Sequence, residues 1–523
     1  MARTYDSALS HLSLLQSNRA ITSLFAPPPA TPSTPSSPSA KPAPQDLNAL
    51  AIPEMLSWLQ RAGLSPDSLA QLRCIHVAGT KGKGSVCAYL TSLLTQPAVQ
   101  PVAGRVGTYT SPHLVSVRER IMLDGRPISR ELFTRYFFEV WDAFTESARA
   151  EAARLGKSGG EISEDDLRGP GTKPFYFRFL TIMAFRVFLA EGVRSAVVEC
   201  GIGGEYDSTN VLPASAVTAS VVTQLGIDHV GMLGSTLPEI TWHKAGVCKE
   251  GRKCFTRRLE NEEGAQTMKV LRQRAAEKGA VLVEVDDAEV EAWGGVQGDE
   301  SGSLEGEFQR YNQALAVGAA REHLRVLEGG PDSQAEGKCS EEIPEGFVKG
   351  LQQARLRGRC ETTRDGNITW LIDGAHTAES LEEVAKWFAG KWKGLPNARR
   401  VLMFNQQERD AAKLLDGLLE GIKKQQGPPN ETLFNSAFFT RNELQGRADG
   451  EPVRDLDVQQ AAAEIMQSFC PETTTKVVDN VADAVAEVRA AVRRDRSQVA
   501  VLVTGSLHLV GALLRTLEPD AQL

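Results

Sequence analysis

Long apolar runs and clustered cysteines are both missing from this sequence. No run of 18 apolar residues occurs among its 523 residues, so no membrane-spanning helix is predicted. The eight cysteines are scattered without a C-x-x-C pair, which argues against a zinc site and against a disulfide framework. Cysteines within apolar segments are typical of core positions in a reducing compartment. We therefore expect a globular protein that is held together by its hydrophobic core.

Excess positive charge is also lacking. The sequence has 58 Lys and Arg residues against 66 Asp and Glu residues, and its formal net charge of −8 argues against a nucleic-acid backbone as the main partner. The first residues show no apolar segment of a secretory signal and carry few basic side chains. We expect a cytoplasmic protein, with a mitochondrial pool left open. The length predicts more than one domain.

Four segments have compositions that do not build a core. Residues 26–45 are rich in Pro and Ser and should form an exposed, largely disordered insertion. Residues 151–171, 286–306 and 328–345 are acidic, rich in glycine and low in periodicity, which predicts loops. These segments interrupt the domains and do not define them.

Strand and helix patterns alternate through the rest of the chain, which predicts parallel α/β sheets. In the first part, strands are expected at 74–78, 105–109, 195–199 and 217–223, and helices at 4–17, 47–62, 129–148, 174–191 and 236–249. In the second part, strands are expected at 368–372, 400–404, 432–437 and 499–503, and helices at 377–389, 409–421, 457–468, 480–493 and 508–516. The pattern restarts near residue 350, so we predict one domain at 1–350 and a smaller one at 351–523.

A glycine-rich turn, Gly79-Thr-Lys-Gly-Lys-Gly-Ser85, follows the strand predicted at 74–78 and precedes an apolar helical pattern. This arrangement aims backbone N–H groups and a helix N-terminus at a phosphate. Lys83 would place a positive charge beside the β- and γ-phosphates, and Ser85 would add a hydroxyl. Because Gly84 follows Lys83, the hydroxyl stands one place later than in the pattern G-x-x-x-x-G-K-[ST]. A merely flexible loop is the alternative, which the flanking patterns disfavour.

Polar side chains follow the other predicted strands of the first domain. Ser111, Glu199 and His229 come after strands, and Lys244 is expected near the middle of the next helix. Ligands bind at the carboxyl ends of the strands in α/β sheets. Hydroxyl, carboxylate and imidazole groups are plausible Mg²⁺ ligands around a triphosphate. Each residue alone has an ordinary structural reading, and only their joint placement favours a functional site.

The second predicted domain adds polar residues of its own. Arg359, Asp373 and His376 lie at turns beside strand ends, and Asn405 directly follows another strand. A lone Arg is usually a solvated charge and a lone His is usually structural. Two α/β domains that both present strand-end loops nevertheless suggest a cleft with ATP between them.

Nine ordered stretches of the sequence carry a resemblance to one known family. The longer ones are TYDSALSHLSLLQSN (4–18), HVAGTKGKGSVCAYL (76–90), GTYTSPHLVSVRERI (107–121), VECGIGGEYDSTN (198–210) and LGIDHVGMLGSTLPEITWHKAGVCK (225–249). The shorter ones are GRCE (358–361), IDGAHTAES (372–380), FNQQERD (404–410) and TGSLHLVG (504–511). They resemble the folylpolyglutamate synthases of the Mur ligase superfamily, in which G-T-x-G-K-G-S is the usual form of the loop. The LQSN and DGAHT blocks favour the eukaryotic type.

The resemblance implies a role for each matching position. The implied catalytic residues are Lys83, Lys244 and His376. The implied ATP-binding residues are Gly82, Lys83, Gly84, Ser85, Arg359, Asp373 and Asn405. The implied Mg²⁺ ligands are Ser111, Glu199, His229 and Lys244, the last matching a lysine that is often carbamylated in the superfamily. The residues implied to line the substrate site are Thr110, Pro112, His113 and Gln224.

The same resemblance implies the fold and the reaction. The fold would be a P-loop, Mur-ligase-type ATP-binding domain with a parallel-rich sheet, followed by a Rossmann-like α/β domain. The reaction would add L-glutamate in γ-linkage to tetrahydrofolyl-(poly)glutamate, with ATP converted to ADP through an acyl phosphate. ATP and Mg²⁺ are the implied cofactors, with a monovalent cation such as K⁺ as a further candidate. We expect a monomer that binds folate, L-glutamate and ATP but no nucleic acid.

The chain departs from the family pattern at several positions, and two other functions stay open. His243 stands where the family usually has Glu before the lysine, and Glu205 stands where a basic residue is common. A dihydrofolate synthase, or a bifunctional enzyme, would use the same machinery on dihydropteroate. A nucleotide-binding protein without ligase activity is the alternative of another class. The joint presence of four residues argues against it: Ser111, Glu199, His229 and Lys244.

Overall fold

The computed structural model describes residues 3–15, 47–155, 163–298, 304–330, 343–395, 397–407, 410–426, 432–448, 450–495 and 497–519. The chain divides into two compact units. The first comprises Met1–Pro112, Arg118–Val296 and Arg310–Leu351, and the second comprises His113–Val117, Gln297–Gln309 and Gln352–Leu523. The predicted insertion at 26–45 lies outside the described residues. No helix among those described is long and apolar enough to cross a membrane.

The first unit is built on an eight-stranded sheet. Its strands are β1 (Cys74–Ala78), β2 (Val106–Tyr109), β3 (Ile121–Leu123), β4 (Arg126–Pro127), β5 (Ser195–Glu199), β6 (Val217–Val222), β7 (Lys253–Arg257) and β8 (Val281–Val285). The strand order is β4-β3-β2-β5-β1-β6-β7-β8. The run from β2 to β8 is parallel, and β3 and β4 extend it antiparallel at one edge. This confirms the predicted parallel-rich sheet.

The α-helices of the first unit alternate with these strands. They are Tyr5–Ser13, Leu47–Arg61, Pro66–Leu69, Lys83–Leu94, Gln100–Ala103, Arg130–Arg154, Glu164–Arg168, Tyr176–Ala190, Val230–Leu233, Leu237–Lys244, Glu262–Glu277, Asp287–Trp293, Gln309–Leu327 and Glu345–Gln353. All residues of β1, β5 and β6 are buried, as expected for parallel strands covered on both faces. Aromatic rings of two helices form one layer of the core, where Phe137 and Phe179 lie 5.0 Å apart between centroids.

The second unit has a six-stranded sheet. Its strands are β9 (Glu361–Asp365), β10 (Ile368–Ile372), β11 (Arg399–Phe404), β12 (Ser436–Thr440), β13 (Thr474–Val478) and β14 (Val499–Thr504). The order is β13-β12-β11-β14-β10-β9, parallel except for the β9–β10 hairpin. Its helices are Ala378–Lys393, Ala411–Gln426, Asp457–Phe469, Val481–Asp495 and Leu507–Leu517. This is the Rossmann-like arrangement that was expected.

Two of the predicted loops are wrong in part because polar residues cap helices there. Within 151–171, the long helix continues to Arg154, and Ser163 caps a further helix with a reciprocal bond to Asp166. Within 286–306, Asp286 accepts a hydrogen bond from the Ala288 N–H and begins the helix Asp287–Trp293. Acidic residues that resembled a solvated loop therefore begin helices.

Two other predictions are displaced along the chain. The strand expected at 432–437 is Ser436–Thr440, and the buried Leu433 and Phe434 lie before it. The helix expected at 236–249 ends at Lys244 and continues as a single 3₁₀ turn, so Lys244 is its last residue and not near its middle. The strands β7 and β8 and the helix Gln309–Leu327 were not predicted.

Candidate active site

The loops after the four central strands of the first sheet carry the sequence-predicted residues. These loops lie at the carboxyl ends of the strands, which are called the strand-end edge below. The order β2-β5-β1-β6 is parallel, so the four loops after these strands emerge side by side. They carry Ser111 after β2, Glu199 at the end of β5, the glycine-rich loop Gly79–Ser85 after β1, and Gln224 after β6. Residues far apart in the sequence are thus neighbours at this edge.

The glycine-rich loop is shaped by close contact with the residues after β6. Gly79 has φ 146°, and a Cβ there would lie 1.8 Å from Thr223 Oγ1, so no side chain fits. Thr223 Oγ1 donates to the Lys81 carbonyl oxygen at 2.6 Å. The Thr80 and Lys81 N–H groups donate to the Gln224 carbonyl oxygen at 2.9 and 3.1 Å. The Gln224 side chain itself is exposed.

The predicted ATP-binding residues of the loop lie at the start of the helix Lys83–Leu94. Gly82 precedes the helix with φ 86°, and Gly84 and the buried Ser85 lie in its first turn. The first N–H groups of a helix have no partners within the helix and carry partial positive charge, which suits an anion. Lys83 Nζ donates to the Gly79 carbonyl oxygen at 3.0 Å, so its ammonium group lies over the loop.

One residue beside the loop escaped sequence reasoning. Asn312, on the helix Gln309–Leu327, is buried, and its Oδ1 would lie 2.5 Å from a Cβ placed on Gly82. Its side-chain amide therefore packs directly against the backbone of the phosphate loop. Nothing in the local sequence signals this, because the contact joins residues 230 positions apart.

Glu199 and Ser111 lie together. Glu199 is 4% exposed, and its Oε2 accepts a hydrogen bond from the Ser111 N–H at 2.9 Å. The neighbouring Thr110 N–H donates to the Arg120 carbonyl oxygen at 3.0 Å, while Pro112 is exposed. The structure thus joins the ends of β2 and β5 through the predicted carboxylate.

Lys244 is a buried cation, 2% exposed, at the end of its helix. Burial, followed by repulsion from the nearby Lys83 ammonium, lowers the pKa of Lys244 to about 7. A substantial fraction of its amine is therefore neutral near pH 7. A neutral amine is the reactive form of lysine.

His229 is exposed, in the segment after β6. It has φ 50°, directly precedes the short helix Val230–Leu233, and its side chain is 43% exposed with Nε2 3.7 Å from Asp228 Oδ2. No group of three or more His, Cys, Asp or Glu residues close enough to hold a metal occurs in the described part of the chain. The predicted ligand set combines only one carboxylate and one imidazole with Ser111 and Lys244. The Glu199–Ser111 pair supplies the oxygen donors that Mg²⁺ prefers.

A buried carboxylate that had no predicted role shapes the loop after β5. Asp207 Oδ2 accepts from the N–H groups of Gly201 and Ile202 at 2.9 and 3.0 Å, and its Oδ1 accepts from Thr209 Oγ1 at 2.6 Å. Burial raises the pKa of this carboxyl group. Thr209 Oγ1 also lies 2.8 Å from Nε2 of the buried His76 on β1. The loop that carries the end of β5 is thereby fixed to the strand before the phosphate loop.

Of the predicted residues of the second unit, Asp373 and His376 follow β10 and Asn405 follows β11, whereas Arg359 precedes β9. Asp373 Oδ2 accepts from the Cys360 N–H at 2.7 Å and Oδ1 accepts from the Ala375 N–H at 2.8 Å. Burial raises the pKa of Asp373, although the Arg359 charge opposes this. His376 Nδ1 lies 3.2 Å from the Gly374 carbonyl oxygen.

Asn405 and His113 both belong to the second unit. Asn405 is buried, its Nδ2 donates to Asn442 Oδ1 at 2.7 Å, and its Oδ1 accepts from Gln459 Nε2 at 2.8 Å. Its side chain therefore links two segments of its own unit. His113 belongs to the second unit, whereas Thr110 and Pro112 belong to the first.

Known proteins similar to this chain are folylpolyglutamate synthases. The protein from Neurospora crassa is 37% identical over 99% of this chain and 92% of its own length. That from Saccharomyces cerevisiae is 35% identical over 98% of this chain and 87% of its own length. This chain belongs to the folylpolyglutamate synthase family. Membership makes it an ATP-dependent ligase that lengthens folate polyglutamates.

Structural and domain comparisons agree with this family. A solved structure of Mycobacterium tuberculosis folylpolyglutamate synthase complexed with ADP has a TM-score of 0.61, with 26% identity, and the match covers 90% of this chain and 94% of that one. A family profile described as the C-terminal domain of dihydrofolate synthetase matches residues 355–516. The two-unit α/β fold is therefore that of the folylpolyglutamate synthases.

Proposed function

We propose that the strand-end edge of the first unit activates the γ-carboxylate of a tetrahydrofolyl-(poly)glutamate with ATP and joins it to L-glutamate. The observation that carries this proposal is the placement of a phosphate loop beside a buried lysine of lowered pKa and a buried carboxylate. Lys83, Lys244 and Glu199 supply these groups. Sequence resemblance supports the same assignment.

In this proposal the loop binds the triphosphate. The N–H groups of Gly82 and Gly84 and the hydroxyl of Ser85 would surround the phosphate oxygens, and Lys83 would leave the Gly79 carbonyl oxygen for the γ-phosphate. An anionic carboxylate can approach a triphosphate only if the phosphoryl charge is compensated. An ammonium group held beside the phosphate oxygens provides such compensation.

Glu199, Ser111 and His229 are the proposed protein ligands of Mg²⁺. When bound, Mg²⁺ would supply charge neutralisation at the phosphate oxygens. Lys244 would complete the set as a carbamate, for which its lowered pKa is suited: the neutral amine bonds to CO₂ and releases one proton. The carbamate converts a buried cation into an anion. A monovalent cation such as K⁺ is a further candidate cofactor.

The proposed reaction balances as follows. A γ-carboxylate oxygen attacks the γ-phosphorus, and the bond from this phosphorus to the β-phosphate oxygen breaks. The products of this step are an acyl phosphate and ADP. The amine of L-glutamate then attacks the acyl carbon, loses a proton, and expels phosphate. The phosphate carries away one oxygen of the original carboxylate. Much of the acceleration would come from positioning the reactants.

The second unit, with residues 351–523 as its proposed domain, would contribute further ATP contacts. We assign these to Arg359 and to the turns organised by Asp373 and Asn405, with His376 as the proposed catalytic residue of this unit. Because the oxygens of Asp373 already accept backbone N–H bonds, its main contribution would be the shape of the turn. Asn312 is added as a proposed contact of the phosphate loop in the first unit.

The pterin-bearing substrate would contact the loops after β2 and β6. Thr110, Pro112, His113 and Gln224 are the proposed lining residues, of which Pro112 and Gln224 are exposed. The proposed location is the cytoplasm, and a mitochondrial pool remains a separate question for cell fractionation. We propose a monomeric enzyme.

A dihydrofolate synthase activity is the second candidate, and the description of the matched C-terminal profile favours keeping it. Pure protein should be incubated with ATP, radiolabelled L-glutamate and either dihydropteroate or tetrahydrofolate. We expect labelled product from tetrahydrofolate. Product from dihydropteroate alone would contradict the proposal, and product from both would establish a bifunctional enzyme.

A further inference from the structure

The segment that carries Lys244 is covered by the loop after β5. A Cβ on Gly204 would lie 2.7 Å from the His243 carbonyl oxygen and 3.1 Å from Lys244 Cα, so the two backbones are in direct contact. The Glu205 N–H donates to the His243 carbonyl oxygen at 2.7 Å. A Cβ on Gly246 would lie 2.3 Å from Glu205 Cα. Glu205 therefore lies against the backbone on both sides of Lys244.

The side chain of Glu205 reaches a different element. Its Oε2 lies 3.0 Å from Arg274 Nη2 and its Oε1 lies 2.8 Å from Lys278 Nζ, at the end of the helix Glu262–Glu277. The side chains of Glu205 and Arg274 are 17% and 11% exposed. An ion pair this well buried is costly to break from one side, because the remaining charge stays desolvated.

Arg274 also contacts the helix of Lys244. Its guanidinium group lies 4.3 Å from the centroid of the Trp242 ring, two residues before Lys244. Arg274 thus binds the covering loop through Glu205 and the lysine helix through Trp242. Removing the Glu205 charge would loosen both attachments together.

We propose that Glu205 is a positioning residue, which fixes the backbone of Lys244 through its ion pairs with Arg274 and Lys278. The inference rests on the proposed function of Lys244. Sequence comparison alone left Glu205 without a role, because it stands where the family commonly has a basic residue. In this chain its charge is satisfied by the helix Glu262–Glu277 and it does not act as a ligand.

A second carboxylate, which also binds an arginine of the helix Glu262–Glu277, provides a control. Glu284 on β8 is 16% exposed and binds Arg272 of this helix, whose side chain is 55% exposed, with distances of 2.6 and 2.7 Å. Glu284→Gln therefore removes a carboxylate of similar burial, paired with an arginine of the same helix, but away from the backbone of Lys244. A loss of kcat that came only from loosening this helix would appear in both variants.

Steady-state kinetics on the full-length protein test the proposal. We expect Glu205→Gln to lower kcat about tenfold, because a misplacement of about 1 Å in the site costs up to a hundredfold, while KM for ATP and for tetrahydrofolyl glutamate stays within about twofold. Glu284→Gln should keep the wild-type kcat, with a smaller fall in Tm because Arg272 is largely exposed. If Glu205→Gln does not fold, Lys278→Gln removes only the 30%-exposed partner and should lower kcat in the same direction.

Two results would overturn the inference. One is a wild-type kcat in the Glu205 variant, and the other is an equal loss of kcat in the Glu205 and Glu284 variants. Lys244→Met separates this failure from failure of the proposed function. If Lys244→Met is inactive while Glu205→Gln is fully active, only the positioning role is wrong. If Lys244→Met is fully active, the proposed role of Lys244 is wrong and the positioning inference fails with it.

Discussion

Asp207 in the first unit and Asp373 in the second are buried carboxylates used in the same way. Each follows a strand of a parallel sheet and accepts hydrogen bonds from backbone N–H groups of a turn. Burial raises the pKa of both carboxyl groups. Both units therefore hold a turn in place by hydrogen bonds from its backbone N–H groups to a buried carboxylate. The units differ in the side chains that each turn presents.

The turn of the first unit lies near the buried Lys244, whose ammonium group is stabilised by the Asp207 charge. In the described part of the chain, the lysines whose pKa is lowered are Lys173, Lys244 and Lys249, all in the first unit. The second unit presents amides at its strand end instead, with Asn405 bonded to Asn442 and Gln459. We infer that the first unit performs the phosphoryl chemistry, whereas the second shapes a binding surface.

The largest effect is expected from the phosphate loop. Lys83→Ala should lower glutamate-dependent ADP release by roughly a hundredfold to a thousandfold, because the phosphoryl charge loses a fixed counter-ion. Coupled detection of ADP measures this. Lys349→Ala, which removes an exposed lysine paired with Glu345, is the control and should be unaffected. Normal turnover by the Lys83 variant would show that the chemistry is not located at this edge.

Substitution of the two buried aspartates, one in each unit, should have an intermediate effect on activity. It also compares the two units directly. Asp207→Asn and Asp373→Asn should each lower the free energy of unfolding by about 1–3 kcal/mol, since an amide leaves backbone N–H groups poorly satisfied. Urea unfolding measures this cost. We expect Asp207→Asn to reduce mainly kcat and Asp373→Asn to raise mainly KM for ATP. The opposite split would invert the assignment of roles to the two units.

The smallest effect on activity is expected from a histidine away from the site, which makes stability depend on pH. His323 is fully buried between Thr218 Oγ1 (2.7 Å) and Ser195 Oγ (2.8 Å), and burial lowers its pKa to about 3. The unfolded state binds a proton below about pH 6.5 and the folded state does not, so stability is complete above this pH and falls as the pH is lowered. From pH 7 to pH 5 this group should cost about 2 kcal/mol.

The His323 prediction is checked by comparing unfolding curves of the wild-type protein and His323→Gln between pH 5 and pH 8. The variant should show a shallower loss of stability towards pH 5. His508→Gln, at an exposed position, is the control and should follow the wild-type slope. A slope that is unchanged in the His323 variant would contradict the assignment of a neutral buried imidazole.

Local sequence was sufficient to predict groups that stand next to strand ends. The loop Gly79–Ser85, Ser111 and Glu199 follow buried β-patterns, and parallel pairing of those strands places them side by side. The Mur-ligase-type fold was predictable for the same reason, because strand and helix periods alternate clearly. The periodicity of the sequence predicted only where these residues lie. The resemblance to the family then implied a chemical role for each of them.

Contacts between distant segments were not predictable. Asn312 packs on Gly82, and Glu205 pairs with Arg274, through tertiary packing that leaves no local pattern. Asp207 lay within a recognised stretch but had no predicted role, because most of its partners are backbone N–H groups, which every residue except proline possesses. Helices begun by Ser163 and Asp286 were missed since capping residues are also loop residues.

The central claim, that the folate γ-carboxylate is activated on the ATP γ-phosphate, is tested most directly by isotope transfer. Tetrahydrofolyl glutamate labelled with ¹⁸O in both γ-carboxylate oxygens should be converted with ATP and L-glutamate in unlabelled water. Mass spectrometry of the products should find one ¹⁸O in each released phosphate and one in the new amide. Released phosphate that contains no ¹⁸O would contradict an acyl-phosphate intermediate, and with it the assignment of the site.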